Sequence, residues 1–160
     1  VNTIDRTYRS RRKDIHVTEL ADFAAVPERR QETRDPVAPD GLLSVAPLPS
    51  VYAFRDAGWA FVPRAEADHG ARVYLQPSGQ VVIGTDRLTV RVGGPRTEAE
   101  AKAVLEKLGV RVVERLRLAP NLFIVAVPPG GDALEAAARL SDSGEVDFAE
   151  PEFIELISTR

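Results

Sequence analysis

At 160 residues with 44% hydrophobic side chains, the chain has room for one domain, or for a small domain with an appendage, and enough apolar material for a core. A net charge of −3 carries no electrostatic footprint for nucleic acid, and the absence of cysteine excludes disulfides, thiol catalysis and thiolate metal sites. No apolar run approaches the roughly 20 residues needed to span a bilayer, so neither a nucleic-acid nor a membrane partner is expected.

The chain starts at Val1 rather than methionine, which fits a removed leader or an excised fragment equally well. Ile15, Val17 and Glu19 alternate as a short half-buried strand does, and Phe23-Ala24-Ala25-Val26 forms a second short apolar run before Pro27. A two-stranded ribbon is the simplest expectation. Arg9, Arg11, Arg12 and Lys13 form a basic cluster, but Asp5, Asp14, Glu19 and Asp22 surround it, and the mixed pattern reads as a solvated face. Residues 28–40 are charged, contain Pro36 and Pro39 and have little apolar material, as a linker or mobile loop does and as an early site of nicking would. The first division of the chain is therefore 1–40, short strands and a linker.

Residues 41–86 form a second division, predicted to be β-rich. Prolines among residues 42–49 favour extended chain over helix, and Val51-Tyr52-Ala53-Phe54 alternates. Trp59-Ala60-Phe61-Val62 follows the turn at Ala57-Gly58. Gln76-Pro77-Ser78-Gly79 then joins the strands Val73-Tyr74-Leu75 and Val81-Val82-Ile83. Tyr52, Phe54 and Trp59 could line an aromatic binding surface, but packing within the protein is the commoner fate of such side chains. His69 lies in a polar turn with no nucleophile or second histidine near it in sequence, and reads as a surface residue.

The third division, 87–160, is the most regular. Leu88-Thr89-Val90-Arg91-Val92 alternates as a strand and Gly93-Gly94-Pro95 breaks it. Those glycines lack the spacing of a phosphate-binding loop and read as a turn. Thr97 with Glu100 is a capping box, and Ala101, Val104, Leu105 and Leu108 fall on one helical face that Gly109 ends. Val110 to Val113 is a strand, and Leu122 to Val127 is apolar enough to be a central one. Asp132 with Glu135 repeats the cap, Ala133, Ala136, Ala137 and Leu140 repeat the apolar face, and Gly144 repeats the stop. Val146 and Phe148 open the last extended segment. The fold expected is α+β: a ferredoxin-like βαββαβ unit with two helices on one face of an antiparallel sheet, preceded by a β-rich N-terminal segment. RNA-recognition domains share this order but carry exposed aromatics flanked by basic residues, and here the central strands offer only Phe123.

The closing phrase Val146-Asp147-Phe148-Ala149-Glu150-Pro151-Glu152-Phe153 resembles the end of the propeptides of subtilisin-like serine proteases. Leu108-Gly109-Val110 with Val112-Val113, and Asn121-Leu122-Phe123-Ile124-Val125, add to the resemblance, which spans about residues 87–157. Glu152 departs from the asparagine or aspartate common at that position. Motifs of the family's catalytic domain, such as Gly-Thr-Ser-Met-Ala, are absent. The resemblance therefore implies a non-catalytic pro-region, an intramolecular chaperone and temporary inhibitor, needing no cofactor and no metal. Its partner would be the cognate subtilisin-like catalytic domain, in the same polypeptide or after cleavage, in a secreted or cell-envelope setting of bacterial type.

In such a complex the sheet would pack on surface helices of the protease, with Phe148, Glu150 and Glu152 at the interface and the carboxylates capping helix amino ends. The tail Leu156, Ile157, Ser158, Thr159 and Arg160 would enter the substrate cleft, with Arg160 in the main specificity pocket and Ile157 in an apolar one if cleavage follows Arg160. A ferredoxin-like regulatory module binding a small ligand or a protein partner is the competing expectation. An enzyme in its own right ranks below both, because no nucleophile, base and stabiliser can be assembled from these residues.

Overall fold

A computed structural model describes residues 1–10, 13–27, 39–67 and 70–156. Among them are eight strands and three α-helices, a mixed α+β architecture: β1 (Thr3–Ser10), β2 (Lys13–Pro27), α1 (Leu48–Asp56), β3 (Trp59–Pro63), β4 (Ala71–Leu75), β5 (Val81–Val92), α2 (Glu98–Lys107), β6 (Arg111–Leu116), β7 (Leu122–Ala126), α3 (Ala133–Asp142) and β8 (Val146–Ile154). Short 3-10 turns cover Leu42–Ser44 and Arg64–Glu66. No helix among the described residues is long and apolar enough to cross a membrane. The chain divides into two compact units. The first holds Val1–Arg6, His16–Gly84 and the segment from Phe153; the second holds Thr7–Ile15 and Thr85–Glu152.

In the first unit β2 pairs antiparallel with β3 (Ala25↔Phe61) and with β4 (Glu19↔Tyr74), and β4 pairs antiparallel with the start of β5 (Tyr74↔Val82). The N-terminal expectation of two short strands at residues 15–19 and 23–26 is corrected: both belong to one fifteen-residue strand, β2, whose pairing with β4 shifts register between Glu19 and Ala24. Such a shift bends a long strand without ending it. Within residues 41–86 the extended reading of Val51-Tyr52-Ala53-Phe54 is corrected, because these residues lie within α1. Pro47 is the N-cap residue and Pro49 sits in the first turn, where backbone amides have no intrahelical acceptor to lose. Val51 and Phe54, three apart, put one face into the core at 0% and 1% exposure, and Phe54 meets Phe61 edge to face at 5.9 Å. Trp59 packs against the same cluster, while Tyr52 remains exposed. Arg9 and Lys13 are exposed, as a solvated face requires. Arg11, Arg12, His69 and residues 28–38 of the expected linker lie outside the described residues.

Glu19 corrects the sequence reading most sharply. It was grouped with the solvated acids, yet its side chain is 1% exposed. Arg6 Nη1 donates to Glu19 Oε1 at 2.6 Å, while Arg72 Nη1 and Arg64 Nη2 reach Oε2 at 3.0 and 3.3 Å. A buried carboxylate needs such partners, because desolvation otherwise costs several kcal/mol.

In the second unit β7 pairs antiparallel with β5 (Val90↔Phe123) and with β6 (Val112↔Val125), and β8 pairs with β5 on the other side. Gly93 N donates to Glu145 O, and Thr85 Oγ1 to Glu152 O, so β8 runs opposite to β5. The strand order is β8-β5-β7-β6. Leu88, Val90 and Val92 alternate into a core shared with Phe123, Val125, Ala149 and both helices. The expected caps are in place. Thr97 and Glu100 exchange bonds at 3.1 and 3.2 Å, and Asp132 Oδ1 accepts from the amides of Leu134 and Glu135. Gly109 and Gly144 follow the last turns of α2 and α3 at φ +88° and +74°, the left-handed region that costs glycine nothing. Ala133, Ala136, Ala137 and Leu140 are all buried, their small side chains letting α3 lie close to the sheet.

Gly93 has a packing explanation. A Cβ there would meet Asp147 Oδ1 at 2.8 Å, and its amide is already donated to Glu145. Asn121 follows Pro120 at φ +56°, a conformation asparagine tolerates, and its side chain donates to Arg96 O at 3.0 Å. Arg96 in turn donates to Gly93 O and pairs with the Glu145 carboxylate. These bonds close the turns at one end of the sheet.

Candidate partner-binding face and tail

The face of the second unit's sheet opposite α2 and α3 can be read from strand register. Arg87, Thr89 and Arg91 alternate with the core residues of β5 and lie opposite Ala126, Ile124 and Leu122 of β7, which in turn oppose Arg111, Glu114 and Leu116 of β6. Leu122 and Ala126 are buried at 8% and 2% exposure, so Ile124, half-buried, is the apolar residue that β7 presents here, bordered by the exposed Arg87, Arg111 and Glu114. Phe123 faces away from it and is completely buried, so β7 presents no stacking aromatic on this face.

On β8, Phe148, Glu150 and Glu152 are all half-buried. Thr89 Oγ1 donates to Glu152 Oε1 at 3.3 Å while Thr85 holds the Glu152 carbonyl at 2.9 Å, so both ends of this residue are tied to β5. Ser10 Oγ donates to Glu150 Oε1 at 3.1 Å. Arg91 stands 3.7 Å from Asp147, an exposed pair that contributes little to stability. Among the described residues no group of three or more His, Asp or Glu side chains is placed to hold a metal ion.

The C-terminal segment belongs to the first unit. Ile154 and Leu156 pack against its core, and Phe153 meets Tyr74 edge to face at 5.6 Å. Gln76 Nε2 donates to Glu155 Oε1 at 2.6 Å, and Gln80 Nε2 to Leu156 O at 2.9 Å. Of the expected tail, Leu156 is thus placed, while Ile157, Ser158, Thr159 and Arg160 lie outside the described residues. The two glutamines escaped the sequence reading, which recognised the turn between them. Residues 76–80 and 155–156 are nearly eighty positions apart, and nothing local to the turn points to the tail.

With this geometry in hand, the family model of the fervidolysin N-terminal prodomain matches residues 69–152, more than half of the chain. The chain belongs to this prodomain family. The match begins before β4 and ends within β8, so it takes in β4, β5, α2, β6, β7, α3 and most of β8. No curated protein and no solved structure matched. A fervidolysin-type prodomain is a subtilase propeptide, which fits the resemblance carried by the closing phrase at residues 146–153 and implies association with a protease domain.

Proposed function

We propose that this chain is the pro-region of a subtilisin-like serine protease, acting first as an intramolecular chaperone and then as a temporary inhibitor of the attached catalytic domain. The prodomain match over residues 69–152 carries this reading. The second unit is read as ferredoxin-like, on the element order β5-α2-β6-β7-α3-β8 and the strand order β8-β5-β7-β6. Its helix-free face, with the half-buried Ile124 on β7, packs on the protease, and Phe148, Glu150 and Glu152 sit at the β8 side of the contact. Glu152 is oriented by the Thr89 hydroxyl and, as a carboxylate, accepts several hydrogen bonds at once. Presented to a helix amino end, it satisfies free amides and the positive end of the helix dipole.

The tail beyond Leu156 runs into the substrate cleft as an added strand, with Ile157 and Arg160 filling pockets when cleavage follows Arg160. Chaperone and inhibitor are then one interaction. A covalently attached pro-region acts at an effective concentration in the ~mM range. With a dissociation constant of about 1 μM, mass action stabilises the folded protease by about 4 kcal/mol. The same contacts occupy the cleft until the pro-region is degraded.

The purified chain is expected to inhibit a subtilase catalytic domain encoded in the same reading frame, and deletion of residues 156–160 to weaken that inhibition. Equal inhibition by the truncated chain would remove the tail from the mechanism. A reading frame without such a catalytic domain would remove the pro-region reading altogether.

A further inference from the structure

We infer that Gln76 and Gln80, at the two ends of the β4–β5 turn, form a clamp that fixes the point from which the tail departs toward the protease cleft; this rests on the pro-region reading and names the positioning residues it needs. Tyr74 of β4 meets Phe153 of β8, and two residues on in each segment, just past the strand ends, Gln76 meets Glu155. Gln80 then takes the main-chain carbonyl of Leu156, a contact indifferent to the side chain at that position. The turn is itself closed, Gln76 N donating to Gln80 O at 2.9 Å and Gly79 N to Gln76 O at 2.8 Å, which holds the two carboxamides in a set relation. Ile154 and Leu156 anchor the segment from below.

The physical consequence is reach. Each residue of extended chain adds at most about 3.5 Å, so a fixed Leu156 bounds where the next few residues can lie. A free tail searches a wide volume before docking. A tail started from a fixed point loses less entropy on entering the cleft, and the gain appears as tighter inhibition.

The test uses the whole chain with Gln80→Ala, Gln76→Glu and the reciprocal pair Gln76→Glu/Glu155→Gln. Gln76→Glu sets two carboxylates against each other, while the pair restores the hydrogen bond with donor and acceptor exchanged. The heteronuclear NOE of the Glu155 and Leu156 amides should fall in both single variants and recover in the pair. Inhibition of the cognate catalytic domain should weaken roughly 3- to 10-fold per lost bond, and return to within about twofold in the pair. The unfolding midpoint should fall by only a few degrees in each single variant, as the loss of one hydrogen bond gives, with the unfolding transition still cooperative, which separates positioning from loss of the fold. Unaltered NOE values in the single variants would overturn the clamp. Reduced NOE values with an unaltered inhibition constant would overturn its role in positioning. Failure of the unmodified chain to inhibit would instead overturn the pro-region reading on which that role rests.

Discussion

In the unit formed by residues 85–152, the interior is filled by aliphatic side chains and alanines under two capped helices, with Phe123 the one large ring among the buried cluster. In the unit formed around residues 16–84, Phe54 of helix α1 packs in one cluster with Phe23 and Phe61, and a carboxylate, Glu19, lies 1% exposed among three guanidiniums. The first kind of interior is assembled largely from helix–strand neighbours along the chain. The second depends on groups brought from positions 6, 19, 64 and 72, so its polar centre exists only when four distant segments are already in place. Hydrophobic burial is tolerant of small displacements; a buried carboxylate is not, since an unpaired charge costs more than the pair contributes.

That contrast predicts different responses to single substitutions, and the largest belongs to the apolar interior. Phe123→Ala removes a fully buried ring between the helices and the sheet and should cost about 3–5 kcal/mol, a large share of the roughly 5–15 kcal/mol that holds a domain together. Urea denaturation gives the size of the loss, and amide exchange should place it in β5 and β7. A cost under about 1 kcal/mol would mean that this ring is not part of a packed core.

Next in size is Glu19→Gln, which keeps the shape and deletes the charge that three arginines face. We expect a loss of about 2–3 kcal/mol. This lies below the roughly 3–5 kcal/mol of a fully buried pair, because the three arginine side chains are 18–35% exposed and solvent screens them. Exchange protection should fall first in β2 and β4 and remain in β7, as sub-global opening of one unit would give. Equal loss in both units would show that the polar centre and the apolar core unfold together and that the comparison between them has no energetic meaning.

The same contrast accounts for what could be read in advance. Helices α2 and α3 were legible because their caps, apolar faces and glycine stops all lie within about a dozen residues and act through local geometry. The closing phrase at residues 146–153 was legible as a resemblance. Glu19 was half-legible: the alternation of Ile15, Val17 and Glu19 places it on the same side as two apolar residues, and the nearby acids outweighed that signal. Helix α1 was misread because proline was weighed as a helix breaker without regard to position, and its two prolines occupy the start of the helix, where nothing is broken. The tail contacts of Gln76 and Gln80 had no local signature, since their partners stand at positions 155 and 156.

The smallest expected effect tests how local the devices of the second unit are. Thr97→Ala deletes the hydroxyl that caps α2 and should cost about 1 kcal/mol, with exchange changes confined to the first turn of that helix. The cap also leaves a mark on its other member. The backbone amide of Thr97, then its hydroxyl, then the nearby Arg96 charge favour the ionised carboxylate of Glu100 and hold its pKa below the ordinary glutamate value. A carboxyl depressed in the folded state contributes stability above its unfolded pKa and loses that contribution as pH falls through the folded one, so acid should loosen the start of α2 while neutral pH leaves it intact. An NMR titration of the Glu100 side chain should show the depressed midpoint. In Thr97→Ala the midpoint should rise only part of the way back, because the amide of residue 97 still donates. A full return to the ordinary value would mean that the hydroxyl alone organises the cap; no movement would mean that the amide does, and that the side-chain half of the capping box is incidental to α2.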